Sequence, residues 1–576
     1  MSILRRLLAA ERGSIMLLSA FALTAVMGMA GLGVEVSTGY AVKTRNQRVA
    51  DMAALGAALA YQANSSISQA TQTAKDIVTA SGLPASAATI SFPSTGVQVQ
   101  IVTAVPVRLA SLISNTATYD VKNSAIASLG ANSSPACVVS LAKNATTGVE
   151  IKGNSTLNNT SCAVTSNSPI TVQGSSNLTA TKITAPDISS TGSSTITGTQ
   201  ASGATATDPL SADASLAAAF AQLGTTAPLN PPSFSASSTS NWSFPSSPSA
   251  FAALPSTDPV KANCTLSGQV YSCVQGTYDI NNLTVSSGYT VSFAGASTVN
   301  IYGTLTASGA TLGGSQTTYN LRSSFGTGWS SSPTFGNIAK LYIGGSVSYS
   351  GSGNIIGSGD VTIAGSLSVG GGSSMTMGAG THIIGGEISV GGSGSLTIGD
   401  GDLSVDGDIS TQGASSINLG AGQHSIDGNV SIQGGGTLGA GLYLIDGNFD
   451  KNAHLTVTAN DVTIVASGSF STGGSSGLVL TAPATGNTAN GGIPNIAFAS
   501  KTTLASSVGG SSSNTIGGVI YLPNSDLSVS GAGSVSGTTC MAVVVNTLSI
   551  VGGAAVNNAS CTKQPLSTVG SVALIQ

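Results

Sequence analysis

Charged side chains are scarce in this 576-residue chain: Asp, Glu, Lys and Arg together make up 7% of it, and the net charge is -4. A composition without a strong basic or acidic tail gives no reason to expect nucleic acid binding. Aromatic residues are also few, at 5%, which argues against one large compact core. No Cys-x-x-Cys occurs in the chain, so zinc ribbons and thioredoxin-like redox motifs are not expected.

Small and β-branched residues are abundant instead. The chain has 74 glycines, and Val, Ile and Thr recur at regular spacing, which is not the composition of a disordered protein. Glycines alternate with short apolar triplets. This pattern is typical of a repeat architecture, in which each unit buries little surface and stacks on its neighbours.

One five-residue motif occurs six times in succession: an apolar residue, any residue, Gly, any residue and a second apolar residue. The central glycines are 19 to 21 residues apart, at Gly345, Gly365, Gly386, Gly407, Gly428 and Gly447. A second set of glycines closes Gly-x-Gly triplets six residues earlier, at Gly359, Gly380, Gly401, Gly422 and Gly441. Two glycine sets that keep the same phase over five repeats indicate a regular coil.

This period predicts an all-β fold, a parallel β-solenoid with coils of about 21 residues. Each coil would have about three short strands of ~5 residues, stacked ~4.8 Å from the strands of the next coil. The first apolar residues of the motif would form one buried ladder, namely Ile343, Ile363, Ile384, Val405, Ile426 and Ile445. The glycines would lie where the backbone bends or needs a positive φ.

Other copies of the motif extend the predicted solenoid to residues 137–195 and 264–576. Residues 200–262 are unperiodic and carry eight prolines, so they are predicted to be a linker or an irregular insertion. Residues 63–130 are predicted to form a small α+β segment, with a short helix near 66–80 followed by alternating strands.

Residues 1–62 are predicted to form a membrane anchor with a helical extension. Ser14 to Val34 is a run of 21 residues without a charge, long enough to cross a hydrocarbon core of ~30 Å as a helix. A cleaved secretory signal is the alternative, but its apolar region is shorter, at about 7–15 residues. An alanine-rich, helix-favouring stretch follows, so the membrane helix is expected to continue into an amphipathic helix outside the bilayer.

The same stretch resembles the N-terminal segment of the TadE/TadG-like proteins of the Tad (Flp) pilus-assembly family. The shared features are a basic lead, an apolar run, an acidic residue and an alanine-rich helix. In order, they are Arg5-Arg6, Arg12-Gly13-Ser14, Gly31, Glu35, Tyr40, Gln47, Ala50-Asp51 and Ala53 to Ala58. Two features differ: Glu35 stands where the family usually has Asp, and Leu18 stands where a prepilin cleavage site would have Glu.

The resemblance implies a single-pass protein of the bacterial inner membrane that works with other Tad pilus-assembly proteins. Gly28, Gly31, Glu35 and Tyr40 are the candidate contacts with a partner helix. Small residues such as Gly28 and Gly31 let two membrane helices approach closely. Glu35 and Tyr40 would lie near the outer end of the span, where Glu35 would meet a basic partner or face water.

Six cysteines, an even number, are compatible with disulfides. Short spacings and a shared closing Asn-x-Ser-Cys motif favour three nearest-neighbour pairs, Cys137–Cys162, Cys264–Cys273 and Cys540–Cys561. Six free buried thiols are the alternative. Disulfides form in oxidising compartments, so they would place the C-terminal bulk in the periplasm or at the cell surface and the short N-terminus in the cytoplasm.

Two of the three histidines, His382 and His424, occupy the same coil position two coils apart. Their separation, roughly 10 Å at ~4.8 Å per coil, is too large for one metal ion with ligand distances of ~2.1 Å. We interpret them as surface or strand-end histidines. No metal site is predicted here.

Acidic residues concentrate at the corners of the predicted coils. Asp406, Asp427 and Asp446 each precede a motif glycine, and calcium, which takes about 6–8 oxygen ligands, could bridge such a ladder. Turn chemistry explains Asp-Gly pairs without a metal.

An enzyme of the polysaccharide-degrading β-helix type would need carboxylates with basic partners in a cleft. Lys340 and Arg322 have no acidic cluster nearby, so no catalytic activity and no cofactor are predicted.

Two functions remain after these exclusions. The first is a membrane-anchored envelope protein that takes part in Tad pilus assembly or in a pilus-associated structure, without catalysis. The alternative is a secreted or surface-exposed β-solenoid adhesin. The N-terminal segment discriminates between them, because an adhesin of the autotransporter type would have a cleaved signal.

Overall fold

The structure, a computed structural model, is built mostly of β-strands with few helices. It describes residues 11–64, 67–92, 96–107, 117–128, 136–203, 206–234, 240–323, 333–349, 354–453, 455–475, 477–484, 489–510, 513–532, 534–536, 540–558 and 573–575. The chain divides into two compact units. Unit 1 contains residues 1–133 and 567–576, and unit 2 contains residues 134–566.

Unit 1 begins with the long helix α1, Glu11–Asn64, and the shorter helix α2, Ile67–Ala80. A 3-10 turn, Ala85–Ala87, leads into a four-stranded antiparallel sheet. In order across the sheet, its strands are Ala88–Ser91, Gly96–Pro106, Thr118–Ser128 and Ala573–Ile575. The described residues between 67 and 128 thus contain one α-helix and three strands, and Ala573–Ile575 adds the fourth strand of their sheet.

Small side chains explain how α1 packs in unit 1. Alanines recur every three or four residues along its C-terminal half and are fully buried, at Ala50, Ala53, Ala54, Ala57 and Ala58. They share one core with Ala70, Ala74 and Val78 of α2 and with the sheet. Because alanine adds little bulk and has the highest helix propensity, this stripe lets the helices approach closely.

Polar side chains fix α1 on the sheet. Asn46 is buried, and its Nδ2 donates a hydrogen bond to the carbonyl oxygen of Val121 at 3.3 Å. The next residue, Gln47, accepts one from Nδ2 of Asn123 at 2.9 Å. About two turns earlier, any side chain at Gly39 would collide with the hydroxyl of Tyr119. Residues 39–47 thus form the part of α1 where the helix first contacts the sheet of unit 1.

Unit 2 is a parallel β-solenoid, as predicted from the glycine period. Most coils contribute three short strands, and each strand pairs in parallel with its equivalents in the neighbouring coils. We name the three resulting stacks the first, second and third ladders, in the order in which a coil visits them.

The strands of each ladder follow in stacking order, and a long strand that turns a corner occurs in two ladders. The first ladder contains Thr277–Ile280, Thr298–Ile301, Thr311–Leu321, Thr334–Ile343, Asp360–Ile363, His382–Ile384, Leu403–Val405, Gly422–Ile426, Gly441–Ile445, Val462–Ala466, Ile496–Ser500, Ser513–Leu522, Met541–Val545, Ala136–Ser140, Ala163–Ser166, Asn177–Ala185 and Thr195–Ser202. The second contains Val347–Tyr349, Leu367–Val369, Ile388–Val390, Ile409–Thr411, Val430–Ile432, Phe449–Ala453, Phe470–Gly474, Ser506–Val508, Leu527–Ser530, Leu548–Val551, Val149–Lys152, Ile170–Gly174 and Ile188–Gly192. The third contains Val270–Cys273, Thr290–Phe293, Thr311–Leu321, Thr334–Ile343, Asn354–Ile356, Ser374–Met377, Ser395–Ile398, Ser416–Leu419, Gly435–Leu438, Val457–Ala459, Leu478–Thr481, Ser513–Leu522, Ser534–Ser536, Ala555–Asn557, Thr156–Asn159, Asn177–Ala185 and Thr195–Ser202.

The coils do not stack in chain order. From residue 277 to residue 557 each coil lies on the one before it, but the next place in the stack is taken by residues from far earlier in the chain. Leu548 pairs with Val149, Val543 with Val138 and Val556 with Leu157. Residues 136–202, which we call the N-terminal module, therefore form the end of the stack beyond the coil of residues 541–557.

The ladder predicted from the sequence lies in the core of the solenoid. Its six residues are in register from coil to coil and are 0–2% exposed, at Ile343, Ile363, Ile384, Val405, Ile426 and Ile445. Side chains alternate along each strand, so the residue next to each of these six in its own strand points away from the core.

The glycines that close the Gly-x-Gly triplets form a stack of their own. Gly380 and Gly401 have φ values of 157° and 137°, and the latter lies in a region that side chains disfavour. A β-carbon on either residue would also collide with the carbonyl group of the equivalent glycine one coil earlier. The sequence repeats glycine here because the backbones of successive corners touch.

The proline-rich segment lies along the solenoid. We call residues 203–263 the strap, because they connect the N-terminal module to the opposite end of the stack. The strap contains helices α3, Ala214–Ala221, α4, Pro248–Ala252, and α5, Pro259–Asn263, and the strand Trp242–Phe244. Asp213 caps α3, since its carboxylate accepts a hydrogen bond from the amide of Leu216 at 2.9 Å.

Contacts of the strap advance coil by coil along the first ladder. Tyr521 donates a hydrogen bond to Asp208 at 2.7 Å, and Gln423 donates one to Gln222 at 3.0 Å. Further on, the amide of Ala227 donates to the hydroxyl of Ser404 at 2.8 Å. The segment interpreted as a linker or insertion is thus an ordered part of unit 2.

Aromatic side chains cover the solenoid where the strap ends. The strand Trp242–Phe244 pairs with Leu283–Val285, which is followed in a small separate sheet by Leu305–Thr306. The antiparallel hairpin of Cys264–Ser267 and Val270–Cys273 lies beside it. Phe244, Phe251 and Tyr289 surround the ring of Tyr271 at centroid distances of 4.8 to 5.6 Å. This cluster caps the apolar core at one end of the stack.

Candidate functional site

The described part of α1 carries a long exposed apolar surface. Its residues from Leu18 to Tyr61 have the length and composition of a membrane span, with a mean hydropathy of 1.5 over the most apolar window, and almost none of that window is buried. Exposed large side chains include Leu18, Phe21, Leu23, Val26, Met27, Met29, Leu32, Val34 and Val36. Water disfavours such a surface on a helix, whereas lipid favours it.

The four predicted partner contacts all lie on this helix. Gly28 has open space around it, and the ring of Tyr40 is 67% exposed. Glu35 is half-buried and takes part in a polar contact. Glycines at 28 and 31 are one helical turn apart, so they share one face of α1. Their contact with a partner helix stays a prediction.

Two disulfides join cysteines that both lie within the described residues. Cys137 pairs with Cys162, with Cα atoms 5.7 Å apart, and Cys264 pairs with Cys273, with Cα atoms 4.0 Å apart. The first bond ties the first two coils of the N-terminal module, and the second closes the hairpin at the aromatic cap. Cys540 is also disulfide-bonded, whereas Cys561 lies outside the described residues.

Acidic residues at the corners bind main-chain groups of the next coil. The carboxylate of Asp400 accepts a hydrogen bond from the amide of Ala421 at 2.8 Å, and that of Asp402 accepts one from the amide of Gln423 at 2.9 Å. Each spans one coil of 21 residues. These side chains satisfy amides that the strand ladders leave unpaired. Among the residues that the structure describes, no group of three or more His, Cys, Asp or Glu side chains could hold a metal ion.

The interpretation of His382 and His424 as surface residues is wrong, although His382 does lie at a strand end, as the first residue of His382–Ile384. Both are fully buried in the first ladder, in register with Leu403 between them. The signal was present in the sequence, because His382 lies two residues before Ile384 and therefore shares its inward face. The third histidine, His454, lies outside the described residues.

The buried imidazoles have few polar partners. Nε2 of His382 lies 2.9 Å from the carbonyl oxygen of Gly378, and Nε2 of His424 lies 3.1 Å from that of Gly420. Nδ1 of each ring is buried without a hydrogen-bond partner. Burial lowers the pKa of both histidines, that of His424 to about 4, although the nearby carboxylates of Asp360 and Asp402 oppose the shift.

We expect these histidines to make unit 2 sensitive to mild acid. Unfolded imidazoles take up protons near pH 6.5 while the buried ones stay neutral, so the free energy of unfolding should fall as the pH drops from about 6.5 toward 4. Each histidine should contribute a slope of up to about 1.4 kcal/mol per pH unit. Urea unfolding of the solenoid at several pH values measures the slope.

Leucine provides the control for this prediction. Leu403 fills the equivalent position in the intervening coil, so His382→Leu together with His424→Leu keeps an accepted side chain at both sites. The double variant should lose most of the slope between pH 6.5 and 4. An unchanged slope would show that other groups cause the acid sensitivity.

Lys451 is a third buried ionisable residue that sequence reasoning missed. It points inward from the strand Phe449–Ala453, in register with Ile432 and Thr472 of the neighbouring coils. Burial lowers its pKa to about 8. The alternation that buries Phe449 predicts the same face for Lys451.

The N-terminal segment matches a known family. Residues 13–60 match the family model described as putative Flp pilus-assembly TadE/G-like, which confirms the resemblance found in the sequence. The match covers the apolar part of α1 and its alanine stripe, but neither the sheet of unit 1 nor the solenoid. Comparison with curated proteins and with solved structures finds no match.

Proposed function

We propose that this protein is a membrane-anchored, non-catalytic scaffold of the Tad (Flp) pilus-assembly system, with unit 2 on the outer side of the cytoplasmic membrane. The family match over residues 13–60 carries the proposal. It falls on the segment whose side chains are exposed and apolar, which is the part that a membrane or a partner helix would cover.

The disulfides support the orientation. Bonds at Cys137–Cys162 and Cys264–Cys273 are stable in an oxidising compartment and rare in the cytoplasm. Both lie in unit 2, after α1 in the chain. A single-pass anchor would therefore place the short segment before α1 in the cytoplasm and the solenoid in the periplasm or at the cell surface.

The solenoid supports a structural role rather than catalysis. Its corner carboxylates, such as Asp400 and Asp402, are engaged with main-chain amides of the next coil. Its buried histidines face the core, where substrate has no access. A stack of coils at ~4.8 Å each forms an extended platform whose length follows from the number of coils.

Cell fractionation tests the anchor. The protein should sediment with inner membranes and stay there after carbonate extraction, and protease added to spheroplasts should digest unit 2. A soluble product that lacks the apolar run would contradict the proposal and favour the secreted adhesin instead.

Substitutions in the membrane helix test the assembly role. Gly28→Leu with Gly31→Leu should reduce pilus assembly at least about tenfold, since bulky residues would block close helix packing, while membrane insertion is retained. Gly33→Leu is the matched control, because Gly33 lies on another face of the same helix and has open space around it. Normal pili in a strain that lacks the whole gene would refute the role in assembly.

A further inference from the structure

The place of the N-terminal module in the stack is unusual for a repeat protein. In each of the three ladders, the first strand of the module pairs with a strand of residues 541–557, which we call the closing coil. The hydroxyl of Ser140 donates a hydrogen bond to the carbonyl oxygen of Asn546 at 2.8 Å, across 406 residues of chain. Ser549 bonds Glu150 across 399 residues. Neighbouring coils elsewhere in the ladders are mostly about 21 residues apart.

The surface that the closing coil covers is apolar. Val138, Val149, Ile151 and Leu157 of the module are all 0–2% exposed and belong to the main core. In a stack of repeats, each coil is stabilised by its immediate neighbours. Without the closing coil, the module would keep the contacts among its own three coils and the hydrogen bonds between Asn167 and Ala206 of the strap, and it would expose these side chains together with unpaired strand edges.

The strap depends on late residues as well. Asp208 binds Tyr521, Gln222 binds Gln423 and the amide of Ala227 binds Ser404. Each partner follows the strap in the sequence by about 175 to more than 300 residues. The strap up to Ala227 therefore finds this docking surface only after the coils from 404 to 521 have formed, whereas its strand Trp242–Phe244 pairs with the nearby strand Leu283–Val285.

We infer that unit 2 is completed by its own C-terminal coil: the N-terminal module reaches its native state only when residues 541–557 have emerged and closed the stack. A chain exported with its N-terminus first would hold the N-terminal module and the strap up to Ala227 open until nearly all of the solenoid has followed. The bond between Cys137 and Cys162 joins two coils of the module itself, so it holds the module in register while the closing coil is still missing.

Pulse-labelling hydrogen exchange during refolding tests this order in the unmodified full-length chain. The protein is unfolded in denaturant with its disulfides intact, diluted into detergent buffer and labelled at increasing times. Amides of Val149–Lys152 and Ile170–Gly174 should become protected together with those of Leu548–Val551 or later. Protection of the module before the closing coil would overturn the inference.

A pair of matched variants tests the same dependence at equilibrium. Val543→Asp places a charge in the core of the closing coil, and Val369→Asp places one in a coil far from it. The first should raise exchange in Val149–Lys152 at least about tenfold, and the second should leave it unchanged. Equal effects of both variants on the module would overturn the inference. Should Val543→Asp unfold all coils, the labelling order in the unmodified chain decides.

Discussion

Replacing Val405 by Asp is expected to unfold the central coils of unit 2. Val405 is fully buried in the first ladder, between Ile384 and Ile426 of the adjacent coils. An aspartate there would lose its hydration without gaining a partner, which costs several kcal/mol. The neighbouring coils would lose their apolar contacts at the same time, because each coil is stabilised chiefly by its two neighbours.

Native-state hydrogen exchange of the solenoid measures the loss coil by coil. Amides between residues 361 and 445 should lose most of their protection in Val405→Asp. Ser389→Asp is the control, because Ser389 points outward in the second ladder, where Asp450 occupies the equivalent position naturally. It should stay within about 0.5 kcal/mol of the parent. Equal stability of the two variants would mean that Val405 does not face the core.

Replacing Gly401 by Ala should destabilise unit 2 by several kcal/mol, although it adds only a methyl group. Gly401 has a φ of 137° and its β-carbon would collide with the carbonyl group of Gly380. The new side chain would therefore be strained by its own backbone and would also push two coils apart. This substitution removes no contact, so the loss of stability would come only from the backbone strain and the collision.

Gly391 provides a matched control for this substitution. It lies at a corner of a neighbouring coil, but a β-carbon there would have nothing within 4 Å. Gly391→Ala should change the free energy of unfolding by less than about 1 kcal/mol, with a gain as the favoured sign because alanine restricts the unfolded chain. Chemical denaturation of both variants decides the matter, and a tolerated Gly401→Ala would contradict the account of the glycine stack.

The regular part of the fold was predictable from the sequence because it depends on local chemistry repeated many times. A glycine every 21 residues marks a corner that admits no β-carbon, and a β-branched residue at a fixed offset marks the core. Six repeats reinforce one another, so the ladder from Ile343 to Ile445 could be named residue by residue. The long apolar helix was predictable for a similar reason, since a run of 21 uncharged, mostly apolar residues is typical of a helix that can span a membrane.

Two buried polar side chains show how strongly coil position decides orientation. His382 and Lys451 are residue types that usually favour water, and a judgement by residue type places both outside. Alternation along the strand places both inside, since each lies two residues from a buried Ile or Phe. At these two positions, the alternation imposed by strand pairing buries a side chain that would by itself favour water.

The order of the coils could not be predicted, because no local signal distinguishes neighbours in sequence from neighbours in space. All coils have the same shape, so the surface of residues 136–159 fits any coil of the stack equally well in principle. The rest of the chain places this surface against residues 541–557. The strap runs back along the stack, opposite to the direction in which the coils advance, and its contacts with Tyr521, Gln423 and Ser404 fix its course.

The strap also determines how unit 2 responds to a mechanical load along its axis. It joins the two ends of the stack by about sixty residues of chain, whereas the coils between those ends contain about three hundred. When tension separates two coils, the ends can move apart only until the strap is extended, roughly 200 Å at ~3.4 Å per residue. Once the strap is extended, it carries the load, and further separation of the coils no longer increases the distance between the two ends. A solenoid with its ends tied in this way yields by a bounded amount and keeps its separated coils close enough to rejoin.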